Sequence, residues 1–194
     1  FHEGTFCGSA FSKPLSFAPT FYSGSTEGFI FNFCRPFGGG TEINMAGSLT
    51  DTHRLSNGVE IPILGFGTWQ TPDGDTARDC VKAALDAGYR HIDTAWVYGN
   101  EISVGEGIRA SGVNRGDIFL TTKHWVTERG YEKTKAAIDV SLKNLGVDYL
   151  DLYLIHWPCV AKISPDWKEI NASTWRGFEE AYRAGKIRAL GVSN

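Results

Sequence analysis

From residue 63 onward the chain alternates short apolar runs with amphipathic stretches, each pair taking roughly 30 residues. Strand then helix, repeated, demands parallel pairing, because two parallel strands need a crossover long enough to hold a helix. Residues 63–67 read as a buried strand. Residues 75–87 read as a helix with Ala77, Val81, Ala84 and Leu85 on one face and Gly88 as its stop. Strands are predicted over 91–95 and 118–122. A helix over 100–110 carries Ile102, Gly105 and Ile108 near one stripe, and another over 131–145 carries Thr134, Ile138, Leu142 and Leu145 before Gly146. Residues 149–156 are almost continuously apolar, the pattern of a strand covered on both faces. A last helix over 174–184 has Trp175, Phe178 and Tyr182 on one side and Gly185 after it, and a last strand covers 187–192. Upstream, residues 53–61 read as a hairpin about Asn57-Gly58, with Pro62 limiting its second arm.

Two architectures satisfy this alternation: a doubly wound sheet and a (β/α)₈ barrel. The glycine patterns argue against the first. Gly65-Phe-Gly67 follows a strand, but Gln70 takes the third glycine's place. Gly105-Glu-Gly107-Ile-Arg-Ala110 fits the letters of a dinucleotide turn but lies inside a predicted helix. We therefore expect an α/β fold of the (β/α)₈ TIM-barrel type, entered through an N-terminal β-hairpin.

Composition sets outer limits. With 42% apolar residues, 21% charged residues and a net charge of −3, the chain has no basic surface for nucleic acid. Its apolar runs are too short to span a membrane. Cys7, Cys34, Cys80 and Cys159 form no paired metal-ligand pattern, so we expect reduced thiols, no metal site and a cytoplasmic location. Asn171-Ala-Ser173 spells a glycosylation acceptor but has no secretory context. The composition breaks near Met45, the one methionine. Residues 1–44 hold nine of the twelve Phe, only one Leu (Leu15), and no Val, Asp or Trp. We expect 1–44 to be a non-native or disordered extension and 45–194 to be the N-terminal part of the barrel.

In a barrel of this type the active site lies at the C-terminal ends of the strands. Asp93 ends the second predicted strand, Tyr98 follows in its loop, Lys123 ends the third and His156 ends the fourth. Trp69, Trp96, Trp125 and Trp157 fall at or just beyond the same ends, giving an aromatic-walled mouth with a few convergent polar groups. Singly, each has a duller role: a cap for Asp93, solvation for Lys123, packing for Tyr98, a core histidine for His156. Together they suit a proton donor to a carbonyl. A phenol titrates near pH ~10, too weak an acid for neutral chemistry. A cation within ~4–6 Å lowers that value. Lys123 can be that cation, Asp93 can orient it, and His156 can hydrogen-bond the same oxygen. Hydride must come from a cofactor.

These segments resemble the aldo-keto reductase family. The carriers are Gly88-Tyr-Arg-His-Ile-Asp-Thr-Ala95 followed by Glu101 and Val104-Gly105, then Thr121-Thr-Lys-His-Trp125, Asp148-Tyr-Leu-Asp-Leu-Tyr-Leu-Ile-His-Trp-Pro158 and Lys186-Ile-Arg-Ala-Leu-Gly-Val-Ser-Asn194. The resemblance implies an oxidoreductase that reduces aldehydes or ketones to alcohols with NAD(P)H, most commonly NADPH, with NADH as the alternative. Tyr98 would be the general acid, Lys123 and Asp93 its tuning pair, and His156 the group that orients the carbonyl. Ser193 and Asn194 would hold the nicotinamide carboxamide, with Thr68 and Asp93 on the ribose side. Trp69, Val97, Trp125 and Trp157 would be pocket walls. The wording Tyr98-Gly-Asn-Glu101 is closer to bacterial reductases of small dicarbonyls and diketo-sugar acids. The family further implies a small-molecule carbonyl substrate and a monomer.

A full barrel takes about 250 residues, and five strands are counted here. We expect a barrel truncated after about five strands, inactive as an isolated piece. Two rivals remain open at the level of sequence. Lys123 at a strand end could form a Schiff base in a lyase, or the nicotinamide site could be kept in a non-catalytic regulatory relative.

Overall fold

A computed structural model describes residues 51–159 and 165–194. The composition break at Met45, the 1–44 extension, Cys7 and Cys34 lie outside the described residues. The chain opens with an antiparallel hairpin, β1 (Thr52–Arg54) with β2 (Glu60–Pro62). Five parallel strands follow: β3 (Phe66–Gly67), β4 (His91–Asp93), β5 (Phe119–His124), β6 (Leu152–Ile155) and β7 (Leu190–Val192). Between them run α1 (Asp75–Asp86), α2 (Glu101–Ser111), α3 (Tyr131–Leu145) and α4 (Trp167–Arg183).

The strands hydrogen-bond in chain order, β3-β4-β5-β6-β7. A doubly wound sheet reverses its order at a switch point. Here there is no reversal among the described strands, and α1 packs on α2, α2 on α3 and α3 on α4 as one layer. That is the connectivity of the (β/α)₈ barrel.

Side-chain alternation divides the sheet into two faces. One face meets the helices: Ile92, Leu120, Tyr153 and Ile155 join Val81, Leu85, Val104, Ile108, Ile138, Leu142 and Phe178 in the main core. The other face gathers Phe119 and Leu152 with Ile61 and Ala189, against Leu55 and Val59 of the hairpin. Both faces of β5 are therefore covered, and all six of its residues are buried. The hairpin is tied to the N-terminal end of the sheet, where Asn57 Nδ2 donates to Arg188 O at 2.8 Å. The opposite, C-terminal end stays open.

Helices α1 and α3 form where the apolar spacing predicts them. α1 buries Ala77, Val81, Ala84 and Leu85, and α3 buries Thr134, Ile138, Leu142 and Leu145 on one stripe. Gly146 ends α3 at φ 65°, a left-handed conformation that costs other residues strain. The two glycines inside α2 serve packing. A Cβ on Gly105 would collide with the carbonyl of Leu145, and one on Gly107 would lie 2.5 Å from Arg78 O. The dinucleotide-like letters there are thus a close-packed helix surface.

Several boundaries differ from the predicted ones, the last strand among them, which shortens from 187–192 to Leu190–Val192. Residues 63–67 do not form a buried strand: only Phe66 and Gly67 enter the ladder, and both are half-buried. α4 starts at Trp167, two turns before the predicted residue 174. The polar run Asn171-Ala-Ser-Thr174 hides its first turns, because Asn, Ser and Thr are weak helix formers whose place here is set by packing. The strand over 149–156 shortens to β6, with an isolated bridge from Leu150 to Ile187 before it. Among the described residues no helix is long and apolar enough to cross a membrane, and no group of three metal-ligating side chains converges.

Candidate active site

Alternation on β4, β5 and β6 decides which polar groups meet. Asp93 pairs in register with Thr121, and Lys123 with Leu154. Asp93, Lys123 and His156 share the face of Phe119 and Leu152, at its open end. Lys123 is 4% exposed and Asp93 8%, so both charges are largely withdrawn from water. They pair directly, Lys123 Nζ donating to Asp93 Oδ1. The ammonium also donates to Thr94 O at 3.0 Å and to Tyr98 Oη at 3.4 Å. One cation is thus shared by a carboxylate, a backbone carbonyl and a phenol.

Tyr98 ends a short 3₁₀ turn, Trp96–Tyr98, that follows β4. Gly99 reverses the chain at φ 71° before α2 begins. Tyr98 stands edge-to-face with His156, ring centroids 5.7 Å apart, and Trp125 stands against the far side of His156 at 5.3 Å. All four of Asp93, Tyr98, Lys123 and His156 therefore meet at one place.

The electrostatics depart from expectation at Tyr98. Lys123 was expected to lower its pKa. In the structure burial, then the negative Asp93, push it above the usual phenol value. Burial is the larger cause, and Asp93, paired with Lys123 beside the phenol, adds to it. Tyr98 thus holds its proton throughout the neutral range. His156 moves the other way. Burial, then the Lys123 charge, lower its pKa to about 4, so its imidazole is neutral near pH 7. Its Nδ1 is buried without a hydrogen-bond partner among the described residues. His124, next to Lys123 but on the helix face, is lowered to about 4 by burial and packs on Tyr153 and Phe178.

The remaining predicted residues line the same end. Trp69, Val97 and Trp157 are exposed at 54%, 38% and 44%, which is large apolar surface gathered on one rim. Trp125 is half-buried. Ser193 and Asn194 lie beyond β7, where Ser193 N donates to Ile155 O at 2.8 Å. Asn194 Nδ2 donates to His156 O at 2.8 Å and to Ser193 Oγ at 2.9 Å. Those bonds commit one amide hydrogen to each, leaving Asn194 Oδ1 as an acceptor and the Ser193 hydroxyl proton as a donor. Thr68 is fully buried: its hydroxyl donates to Thr94 Oγ1 at 2.9 Å and its carbonyl accepts from Asn100 Nδ2 at 3.0 Å. A separate cavity of about 290 Å³ lies among Ile108, Arg109, Leu145 and Tyr149. It belongs to the other end, where the chain enters β5 and β6, and it contains none of these groups.

Two participants escaped sequence reasoning. Thr94 supplies a carbonyl to Lys123, and backbone acceptors leave no mark in a residue pattern. Asn100 is fully buried at the start of α2. The sequence pattern places it only as the first residue of a helix over 100–110, which says nothing of what this side chain does.

Residues 63–194 match the Aldo/keto reductase family. The chain belongs to that family. It is 51% identical over 150 residues to the glyoxal reductase of Bacillus subtilis, a match covering 77% of this chain and 51% of that protein. A crystal structure of an aldo/keto reductase from Brucella melitensis superposes with a TM-score of 0.69 at 50% identity, covering 75% of this chain and 54% of that one. A Bombyx mori aldo-keto reductase in complex with NADP superposes at 0.65 with 39% identity, covering 74% and 50%. The chain spans about half the length of the curated relatives it matches.

Proposed function

We propose that the intact protein reduces aldehydes or ketones to alcohols with a reduced nicotinamide cofactor, Tyr98 giving the proton. The observation that carries this is a buried cation, Lys123, held between the Asp93 carboxylate and the Tyr98 hydroxyl, 3.4 Å from the latter. A bound nicotinamide supplies the hydride, which no side chain can. Tyr98 delivers its proton to the carbonyl oxygen as negative charge develops there. Burial and Asp93 keep the phenol protonated at rest, and the Lys123 contact stabilises the phenolate once the proton leaves. Neutral His156 donates a hydrogen bond to the same oxygen without competing as an acid, since its pKa is about 4.

The residues present fit the cofactor. A carboxamide needs one donor and one acceptor, and Ser193 and Asn194 offer that pair. Thr68 and Asp93 form the ribose side, Thr68 as a wall, since its own hydroxyl is engaged by Thr94. Trp69, Val97, Trp125 and Trp157 enclose the substrate. NADPH is the preferred cofactor over NADH, supported by the family's habit and by the NADP bound to the Bombyx mori relative. The substrate class is a small aldehyde or dicarbonyl, supported by the Tyr98-Gly-Asn-Glu101 wording and the glyoxal reductase of Bacillus subtilis. We place the protein in the cytoplasm on its scattered cysteines, which form no paired pattern, and take it as a monomer on its family resemblance.

The Schiff-base alternative is disfavoured by burial. Lys123 is 4% exposed and ion-paired, whereas an amine nucleophile must lose its proton. The test is NADPH consumption by the intact gene product with a panel of aldehydes, ketones and dicarbonyls, beside Tyr98→Phe. Turnover by the native enzyme and its loss in the variant support the reading. Unchanged turnover in Tyr98→Phe, or borohydride trapping of substrate on Lys123, removes it.

A further inference from the structure

Asn100 occupies the residue before α2, yet its side chain makes no capping bond to the helix. It is fully buried and reaches the other way. Oδ1 accepts from the Thr94 hydroxyl at 3.1 Å, with the Thr68 hydroxyl 3.5 Å away. Nδ2 donates to Thr68 O and Thr71 O, each at 3.0 Å. One amide thus joins three segments at the open end of the sheet: the loop after β3, the end of β4, and the turn carrying Tyr98 two residues before.

The loop held by Nδ2 is strained. Gln70 has φ 62°, a left-handed backbone that a side chain other than glycine adopts at a cost. Thr68 and Thr71, whose carbonyls Asn100 grips, stand on either side of it, and Trp69 lies between. On the other side, Thr94 hydrogen-bonds Asn100 through its hydroxyl and Lys123 through its carbonyl, the latter at 3.0 Å. The neighbour Glu101 adds a second anchor, accepting from Thr122 Oγ1 at 2.8 Å and Asn144 Nδ2 at 3.0 Å.

We propose that Asn100 is a positioning residue: it gives up helix capping to hold the Tyr98 turn against Lys123 and the Trp69 loop against both. This rests on the assignment of Tyr98 as proton donor. It touches neither substrate nor cofactor, and acts through Thr94, Thr68 and Thr71.

The test compares native protein, Asn100→Ala, Thr94→Val, Thr94→Ser and Tyr98→Phe in the intact gene product. Readouts are kcat, KM, NADPH affinity and the pH profile of kcat. Thr94→Val keeps the shape of the side chain and removes the hydroxyl that Asn100 accepts from, and Thr94→Ser restores it. If Asn100 positions Tyr98, Asn100→Ala and Thr94→Val lower kcat about 10–100-fold, with NADPH affinity changed less than about threefold. Both move the alkaline limb of kcat to lower pH, because a looser Tyr98 is wetter and loses the burial that raises its pKa. Thr94→Ser recovers most of the rate. Native kcat and an unmoved alkaline limb in Asn100→Ala, or in Thr94→Val should Asn100→Ala not fold, overturn the proposal. If Tyr98→Phe is inactive while those variants are normal, only the positioning role falls. If Tyr98→Phe stays active, the proton-donor assignment falls first.

Discussion

Replacing Lys123 with Met tests both the architecture and the chemistry of the site. Met has nearly the same length and no charge. The substitution strands Asp93 at 8% exposure without its cation, and it removes donors to Thr94 O and Tyr98 Oη. Breaking one side of a buried ion pair costs about 3–5 kcal/mol, because the remaining charge is desolvated and unpaired. Removing both partners costs much less, since no buried charge is left. Lys123→Met should therefore lower the unfolding free energy by about 3–5 kcal/mol, and Asp93→Asn combined with Lys123→Met should recover a large part of that. Catalysis should not recover. Without Lys123 the phenolate has no counter-charge, so kcat should fall about 10²–10⁴-fold in both variants, the usual worth of acid catalysis. Urea denaturation and NADPH consumption give the two readouts on the same samples. A single variant within about 1 kcal/mol of native stability, or a double variant as unstable as the sum of the two singles, would refute the buried-pair account.

Three further outcomes follow from the geometry. Tyr98→Phe should lower kcat about 10²–10⁴-fold while NADPH affinity, measured by fluorescence quenching, stays near native. The stability of the protein should fall on acidification between pH ~6.5 and about 4, because the unfolded chain binds protons there that buried His124 and His156 do not. His124→Gln should flatten that slope by an amount on the order of 2–3 kcal/mol at most, read from urea midpoints across the range, and an unchanged slope would exclude His124 as its source. Gly105→Ala should destabilise by about 1–3 kcal/mol through the collision with Leu145 O, whereas a gain in stability, as an exposed helical glycine would give, would show that α2 and α3 do not pack this closely.

Much of the candidate site is legible in the sequence. Period-2 alternation on β4 and β5 sends Asp93 and Lys123 to one face, and the barrel rule brings their strand ends to one mouth. What the pattern missed has a common cause. The start of α4 was hidden because Asn171, Ser173 and Thr174 are weak helix formers, and the helix there is held by packing of Thr174 and Phe178. Asn100 was hidden because residues 100–110 read simply as helix, while its real partners, Thr68 and Thr94, are 32 and 6 residues away. The sign of the Tyr98 shift was missed because burial was left out and Asp93 was counted only as orienting Lys123, not as a charge acting on the phenol.

The sequence by itself determined what depends on neighbours along the chain. Apolar periodicity set the helices, Asn57-Gly58 set the hairpin, and glycines such as Gly146 set the helix ends, because each is a matter of local backbone sterics and amphipathic spacing. Only the tertiary structure decided the strand order without reversal, the burial of the Asn100 amide among Thr68, Thr71 and Thr94, and the upward direction of the Tyr98 pKa shift. These turn on desolvation and on contacts between distant segments. Their energies appear only when the chain brings a cation, a carboxylate and a phenol together out of water.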